Sequence, residues 1–300
     1  MTLRVPDVVT NAAAACGAGW WLRDLPRLVA DLEAEWSVSV EQPYPHATEA
    51  FVAEARLGES TPAVLKLLIP RDGAAARHEI TMLRLAGGRG CAGLLRHDAS
   101  RGALLLERLG PSLYELGRPL AQRLEILVAT VATAWRPAAG SGLPTGAGKA
   151  RRLVDFVTTQ WEELGRPCTE AAVDHALACA ARRIAAHDDE RAVLVHGDVH
   201  QLNALQVPGR AAFKLIDPDG LLAEAECDLG VMMRNDPMEL LDGDPRARAR
   251  WLAQRCGLDA TAVWEWGVVE RVTSGLWCTR IDLQPLGRQM LMVADRVATM

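Results

Sequence analysis

Apolar and polar positions alternate with two different periods along the chain, and the changes of period mark its elements. Residues 19–35, GWWLRDLPRLVADLEAE, place Trp21, Leu25, Leu28, Val29 and Leu32 at helical spacing. This predicts an amphipathic helix with Pro26 near its first turn, where a missing N–H costs little. Residues 36–42, 51–57 and 62–68 read as three strands, the first two joined by the turn-rich connector PYPHATEA. In residues 73–86 one face carries Ala76, Ile80 and Leu83, which predicts a helix ending at Gly87-Gly88. Residues 94–97 and 103–107 are short strand candidates. Residues 1–108 are thus expected to form a small α+β lobe.

After Leu109-Gly110-Pro111 the pattern becomes helical, over residues 118–135, 149–164, 169–187, 245–256, 260–277 and 283–298. Residues 137–148, PAAGSGLPTGAG, read as a flexible loop. Its G-x-G-K ending at Lys149 lacks the spacing and the following Ser/Thr of a phosphate loop, and a linker is the expected reading. Residues 109–300 make a second, mostly helical lobe with a small β insert. The fold class is α+β with two lobes.

The insert, residues 193–219, reads VLVHGDVHQLNALQVPGRAAFKLIDPD. One apolar run stops at His196-Gly197-Asp198, Asn203 follows five residues later, and a second run delivers Asp217 at its end. Two carboxylates and a carboxamide at strand ends suit a hard cation such as Mg²⁺, with phosphate oxygens completing the shell. Asp-x-x-x-x-Asn followed by a strand-end Asp is the arrangement that protein-kinase-like enzymes use for phosphoryl transfer. Asp198 is then the candidate general base, and Asn203 and Asp217 the candidate metal ligands. Upstream, Lys66 sits inside an apolar strand, where its charge needs a partner, and Glu79 lies thirteen residues on in the next helix. Held by Glu79, the Lys66 ammonium can meet nucleotide phosphates. The plain alternatives are an Asp-capped turn and a solvent-facing Lys and Glu. His196 and His200 are four apart, like a helical zinc pair, but Gly197 and the turn chemistry oppose a helix there. A two-metal phosphoesterase needs histidines further on, and none follows His200.

Composition narrows the partners. A net charge of −5 argues against a nucleic-acid footprint and permits a cationic small substrate. The seven cysteines are scattered without a C-x-x-C pair, which fits reduced thiols in a cytosolic protein. No secretory h-region and no run of ~20 apolar residues appears, so the expectation is a cytoplasmic enzyme without a membrane partner.

With these residues in place the chain resembles the aminoglycoside phosphotransferases, and within them the streptomycin 6-kinase and hydroxyurea phosphotransferase branch. The resemblance runs over nearly the whole chain: RVPD, WLRDLPRLV, VLKLLIPR, LLLERLG, LVHGDVHQLNAL, KLIDPDGL, ECDLG and a late Trp-rich helix. It implies the two-lobed protein-kinase-like fold, with ATP between the lobes and its adenine against the linker from Glu107 to Leu109. Lys66 supported by Glu79 would contact phosphates. Asp198 would be catalytic, Asn203 and Asp217 would hold Mg²⁺, and Asp228 would buttress the catalytic loop together with His196. The connector that should approach the phosphates is glycine-poor, His46-Ala47-Thr48, leaving Thr48 to supply a hydroxyl. An aminoglycoside pocket calls for acids and aromatic faces. Asp219, Asn235, Asp236, Trp277 and Asp282 are the substrate candidates, with Glu224, Glu226, Glu239, Asp242, Trp264, Trp266 and Glu270 behind them. The Met-rich DLGVMMRNDP suggests an adaptable apolar wall. The expected activity is ATP-dependent phosphorylation of a streptomycin-like hydroxyl. A metabolic sugar, amino-alcohol or hydroxyurea kinase, or a silent nucleotide-binding protein, are the alternatives.

Overall fold

Five antiparallel strands form the body of the N-terminal unit: β1 (Val38–Pro43), β2 (Ala50–Leu57), β3 (Thr61–Leu68), β4 (Leu94–Asp98) and β5 (Ala103–Glu107), in the spatial order β1-β2-β3-β5-β4. Helices α1 (Asp7–Ala15) and α2 (Gly19–Trp36) precede the sheet, and α3 (Ala75–Ala86) follows β3. Trp21, Leu25, Val29 and Leu32 of α2 share one core with Phe51 and Ala53 of β2 and Leu65 and Leu67 of β3. Alternation along β3 therefore turns Lys66 away from that core. Pro26 lies inside α2 rather than in its first turn, because the helix already begins at Gly19. The buried anchors Trp21 and Leu25 hold the preceding turns despite the missing donor. The helix α1 has no counterpart in the sequence expectation.

The computed structural model describes residues 4–45, 47, 49–58, 60–70 and 74–300, and the chain divides into two units, Met1–Gly110 and Pro111–Met300. In the second unit, two short antiparallel ribbons pair β6 (Val193–Val195) with β9 (Leu221–Ala223) and β7 (Ala204–Gln206) with β8 (Phe213–Leu215). Around them stand α4 (Leu120–Ala132), α5 (Gly146–Glu163), α6 (Glu170–Ala186), α7 (Glu226–Met232), α8 (Arg246–Cys256), α9 (Ala260–Arg280) and α10 (Leu286–Ala298). The central helix is α9, which packs against α5, α6, α7, α8 and α10 and is buried on all sides over much of its length. The expected loop at 137–148 ends early. Thr145 caps α5, its Oγ1 accepting from the Gly148 N–H at 3.0 Å, so the G-x-G forms the first helical turn.

The Met-rich segment is core and not a pocket wall, since Met232 and Met233 are fully buried. Its helix α7 approaches α9 so closely that a Cβ on Gly230 would overlap the Cβ of Trp266, and one on Gly267 would lie 2.6 Å from the Cβ of Met233. Gly230→Ala is therefore expected to cost about 1–3 kcal/mol of stability through overpacking. Urea unfolding of the variant checks this as a lower midpoint at unchanged slope.

Candidate active site

The loop after β6 is held by one buried carboxylate. Asp228, in the first turn of α7, is fully buried. It accepts the backbone N–H of His196 at 3.0 Å, that of Gly197 at 2.7 Å and the indole N–H of Trp135 at 2.9 Å. Three donors are what make a buried charge tolerable there. Gly197 has φ +88°, and a Cβ on it would sit 2.9 Å from the Cβ of Asp219, so only glycine fits the turn. Burial pushes the His196 pKa down, which keeps its imidazole neutral. The ring receives the Asp198 N–H at Nδ1 (3.2 Å), and its Nε2–H donates to the Ile216 carbonyl at 2.9 Å. His196 thus clips the Asp198 turn to the residue preceding Asp217.

Around Asp198 three side chains converge. Asn203 Nδ2 donates to both its carbonyl and its Oδ2, each at 3.1 Å, and His200 Nε2 lies 3.1 Å from the same Oδ2. The guanidinium of Arg234 pairs with Oδ1. Burial opposes the charge on Asp198, but Arg234 and His200 outweigh it and hold the carboxyl well below the usual carboxylate range. Asn203 is fixed at its backbone too, its carbonyl accepting the Ile216 N–H at 2.9 Å. That pairing at the end of the β7–β8 ribbon places Ile216, the residue before Asp217, opposite Asn203. Asp217 itself adopts φ +57° and is exposed. With its nitrogen committed to Asp198, Asn203 keeps an Oδ1 that accepts no hydrogen bond among the described residues. One carboxamide oxygen and one exposed carboxylate are a fitting donor set for Mg²⁺, which takes few protein ligands and fills its shell with water and phosphate. Among the described residues no group of three or more His, Cys, Asp or Glu forms a protein-only metal cage.

Behind Asp198 runs a chain of charges that sequence reading did not assemble. Arg234 Nη1 reaches Ser274 Oγ at 3.2 Å and Glu270 at 3.4 Å. Glu270 also binds Lys149 at 2.8 Å, and Lys149 donates to the Gly197 carbonyl at 2.6 Å. Burial works against the Lys149 charge, yet Glu270 raises its pKa above the ordinary lysine value. Asp219 completes the series, 3.7 Å from Lys149 with a largely exposed side chain. Lys149, read from sequence as the end of a linker, is a buried support of the Asp198 turn.

In the first unit, Lys66 donates to both oxygens of Glu79, at 2.6 and 2.8 Å, and both side chains are buried. Glu107 ends β5 with its carboxylate accepting the Gly93 N–H at 2.5 Å, and Leu109 follows, half-buried. Thr48 and His46 lie outside the described residues. Among the substrate candidates, Trp277 is 45% exposed, with Phe156 6.4 Å away between ring centres, and Asp282 is exposed at φ +55°. Asp236 pairs with Arg123 at 3.0 Å, and Asn235 turns its amide nitrogen inward, sealed from solvent. Trp264 and Trp266 are core, and Glu224 is bound by the Trp266 indole at 2.7 Å and by Arg183.

A sheet-based unit carrying a buried Lys–Glu pair and a helical unit carrying an Asp–Asn–Asp loop define a small-molecule phosphotransferase of the kinase-like fold, with a hydroxyl group as acceptor. Solved structures of that fold include a thermostable variant of aminoglycoside phosphotransferase APH(4)-Ia with ADP and hygromycin B, at TM-score 0.61 and 14% identity over 90% of this chain and 97% of that one. Choline kinase LicA from Streptococcus pneumoniae superposes at TM-score 0.61 and 12% identity over 92% and 99%. The profile of the family described as aminoglycoside/hydroxyurea antibiotic resistance kinase matches residues 35–281, and the chain belongs to that family. Relatives are a hydroxyurea phosphotransferase of Kitasatospora aureofaciens, 30% identical over 86% of this chain and 74% of its own length, and a streptomycin 6-kinase of Streptomyces griseus, 26% identical over 99% and 97%. Among the described residues no helix is long and apolar enough to cross a membrane.

Proposed function

We propose that the chain transfers the γ-phosphoryl group of ATP to a hydroxyl of an aminoglycoside-like antibiotic, streptomycin first among them. The observation that carries this reading is the double hold of Asn203 on Asp198, which aims a carboxylate and frees a carboxamide oxygen in one loop. Asp198 receives the acceptor hydroxyl proton as the acceptor oxygen bonds to phosphorus and the bond to the ADP oxygen breaks. A loose transition state asks little basicity of it, so a depressed pKa is compatible with the role, and its main work is orientation. Lys66, kept in place by Glu79, contacts phosphate oxygens. The backbone of residues 107–109 meets the adenine, and Thr48 contributes a hydroxyl. Mg²⁺ held by Asn203 and Asp217 would offset charge developing on the phosphate oxygens. Asp219, Trp277 and Asp282 offer exposed acids and an aromatic face to a cationic sugar.

A second reading, hydroxyurea as acceptor, is favoured by one feature. Glu270, Asp236 and Glu224 are already paired with Lys149, Arg123 and Arg183, which leaves fewer acids for a polycation. Phosphorus NMR of reactions with ATP, Mg²⁺ and, separately, streptomycin, hygromycin B, hydroxyurea and choline separates the readings. A new phosphomonoester from streptomycin is expected. Turnover of hydroxyurea alone would move the assignment to the second reading, and ATP binding with no product from any acceptor would overturn both.

The ion pair at Asp198 makes a pH prediction. Arg234→Met removes the main charge holding that carboxyl down, while burial still pushes it up. The acidic limb of kcat/KM, which reports the free enzyme's base, is therefore expected to move to higher pH. An unmoved limb would remove Asp198 as the group titrating there.

A further inference from the structure

Arg271, on α9, is fully buried, and among the described residues it makes no salt bridge. Its Nη2 donates to the Met233 carbonyl at 2.8 Å, while its Nε and Nη1 have no hydrogen-bond acceptor among the described residues. Among the described residues the charge that shifts it is another cation, Arg248 of α8. Burial first, and Arg248 second, push its pKa down to about 9, which still leaves it protonated at neutral pH. Arg248 donates to the Asn235 carbonyl, so two arginines from two helices hold the same short stretch, residues 233–235. The Asn235 Nδ2 is also buried without an acceptor. Three N–H-bearing atoms that lack acceptors thus belong to residues tied to one another through that stretch, and all three are sealed from solvent.

A buried guanidinium without a counter-charge is costly, and each buried unsatisfied donor adds to the cost. A set composed of donors alone suits an anion better than a water molecule, which must also find acceptors for its own hydrogens. The carboxylate nearest along the chain, Asp236, has its Oδ2 engaged by Arg123 at 3.0 Å, without a hydrogen bond of regular geometry, and with Glu239 it acts on Arg248. We infer that Arg271, together with Asn235 and the field of Arg248, forms a buried binding site for a small inorganic anion of halide size. The bound anion neutralises Arg271 and fastens residues 233–235, the stretch that carries Arg234 to Asp198. This inference does not depend on which acceptor is phosphorylated.

Crystals of the full chain soaked in sodium bromide test it directly. An anomalous peak within hydrogen-bonding distance of Arg271 Nε or Nη1 is expected. A water molecule there, with no anomalous signal, would overturn the inference. In solution, the melting temperature should rise saturably with chloride or bromide over gluconate at equal ionic strength, as for any ligand bound only by the native state. That halide-specific rise should vanish in Arg271→Met and shrink in Asn235→Ala, which keeps the guanidinium in place should the first variant fail to fold. Equal melting in halide and gluconate for the unaltered protein would also overturn it.

Discussion

Asp198→Asn is expected to cut phosphoryl transfer by roughly 10²–10⁴-fold, the range for losing a positioned general base. Nucleotide affinity should stay within a few-fold of the unaltered protein, because the Lys66–Glu79 pair proposed to contact phosphate lies in a different unit of the chain. The substitution keeps the shape of the side chain, and with it the Asn203 contact to the residue-198 carbonyl at 3.1 Å. What it removes is the charge facing Arg234. That arginine retains Glu270 at 3.4 Å and Ser274 at 3.2 Å, so it is not left without partners. The loss should therefore appear in kcat, with a folded protein and intact ATP binding by calorimetry. A variant that turns over acceptor at the original rate would take the proton-accepting role away from Asp198. A variant that loses ATP binding together with turnover would show that the carboxylate serves the nucleotide site and not the acceptor.

The core of this arrangement was readable in the amino-acid sequence because its residues stand where local patterns end. His196, Asp198 and Asp217 close short apolar runs, and a polar group at a strand end is visible without knowledge of what surrounds it. Lys66 was readable for the opposite reason, a charge inside an apolar strand that demands a partner, and Glu79 supplies it at 2.6 Å. Arg234, Glu270 and Lys149 were not readable as a group. They come from the stretch after α7, from α9 and from α5, and only tertiary packing brings them together. Because α9 is buried on so many sides, it has no amphipathic stripe against which Glu270 would stand out. The three-residue strands β7 and β9 are too short to show a period, and the apolar run of α7 cannot be told from a wall by pattern alone. One signal was available. The chain has only three lysines among 33 lysines and arginines, and two of them, Lys66 and Lys149, are buried in ion pairs.

That second lysine leads to the largest expected change in stability. Glu270→Gln keeps the size of the side chain but removes the charge that two buried cations share, Lys149 at 2.8 Å and Arg234 at 3.4 Å. Removing one partner from a buried ion pair costs about 3–5 kcal/mol, because the remaining charge is stranded. For a domain of 150–250 residues this corresponds to melting roughly 6–20 °C lower. Lys149→Met should cost less, since Glu270 still has Arg234, and the double variant should cost less than the two single losses together. The sign of the pH dependence follows from Lys149. A lysine whose folded pKa is raised contributes stability that is complete below its unfolded value, about 10.4, and is lost only as pH rises towards the folded one. The difference between Glu270→Gln and the unaltered protein should therefore hold steady from pH 6 to about pH 9. Melting curves across that range measure it. If the variant melts within a degree or two of the unaltered protein, Lys149 and Arg234 must draw enough compensation from Asp219, Asp198 and the Gly197 carbonyl to dispense with Glu270. The support of the Asp198 turn would then lie with those oxygens.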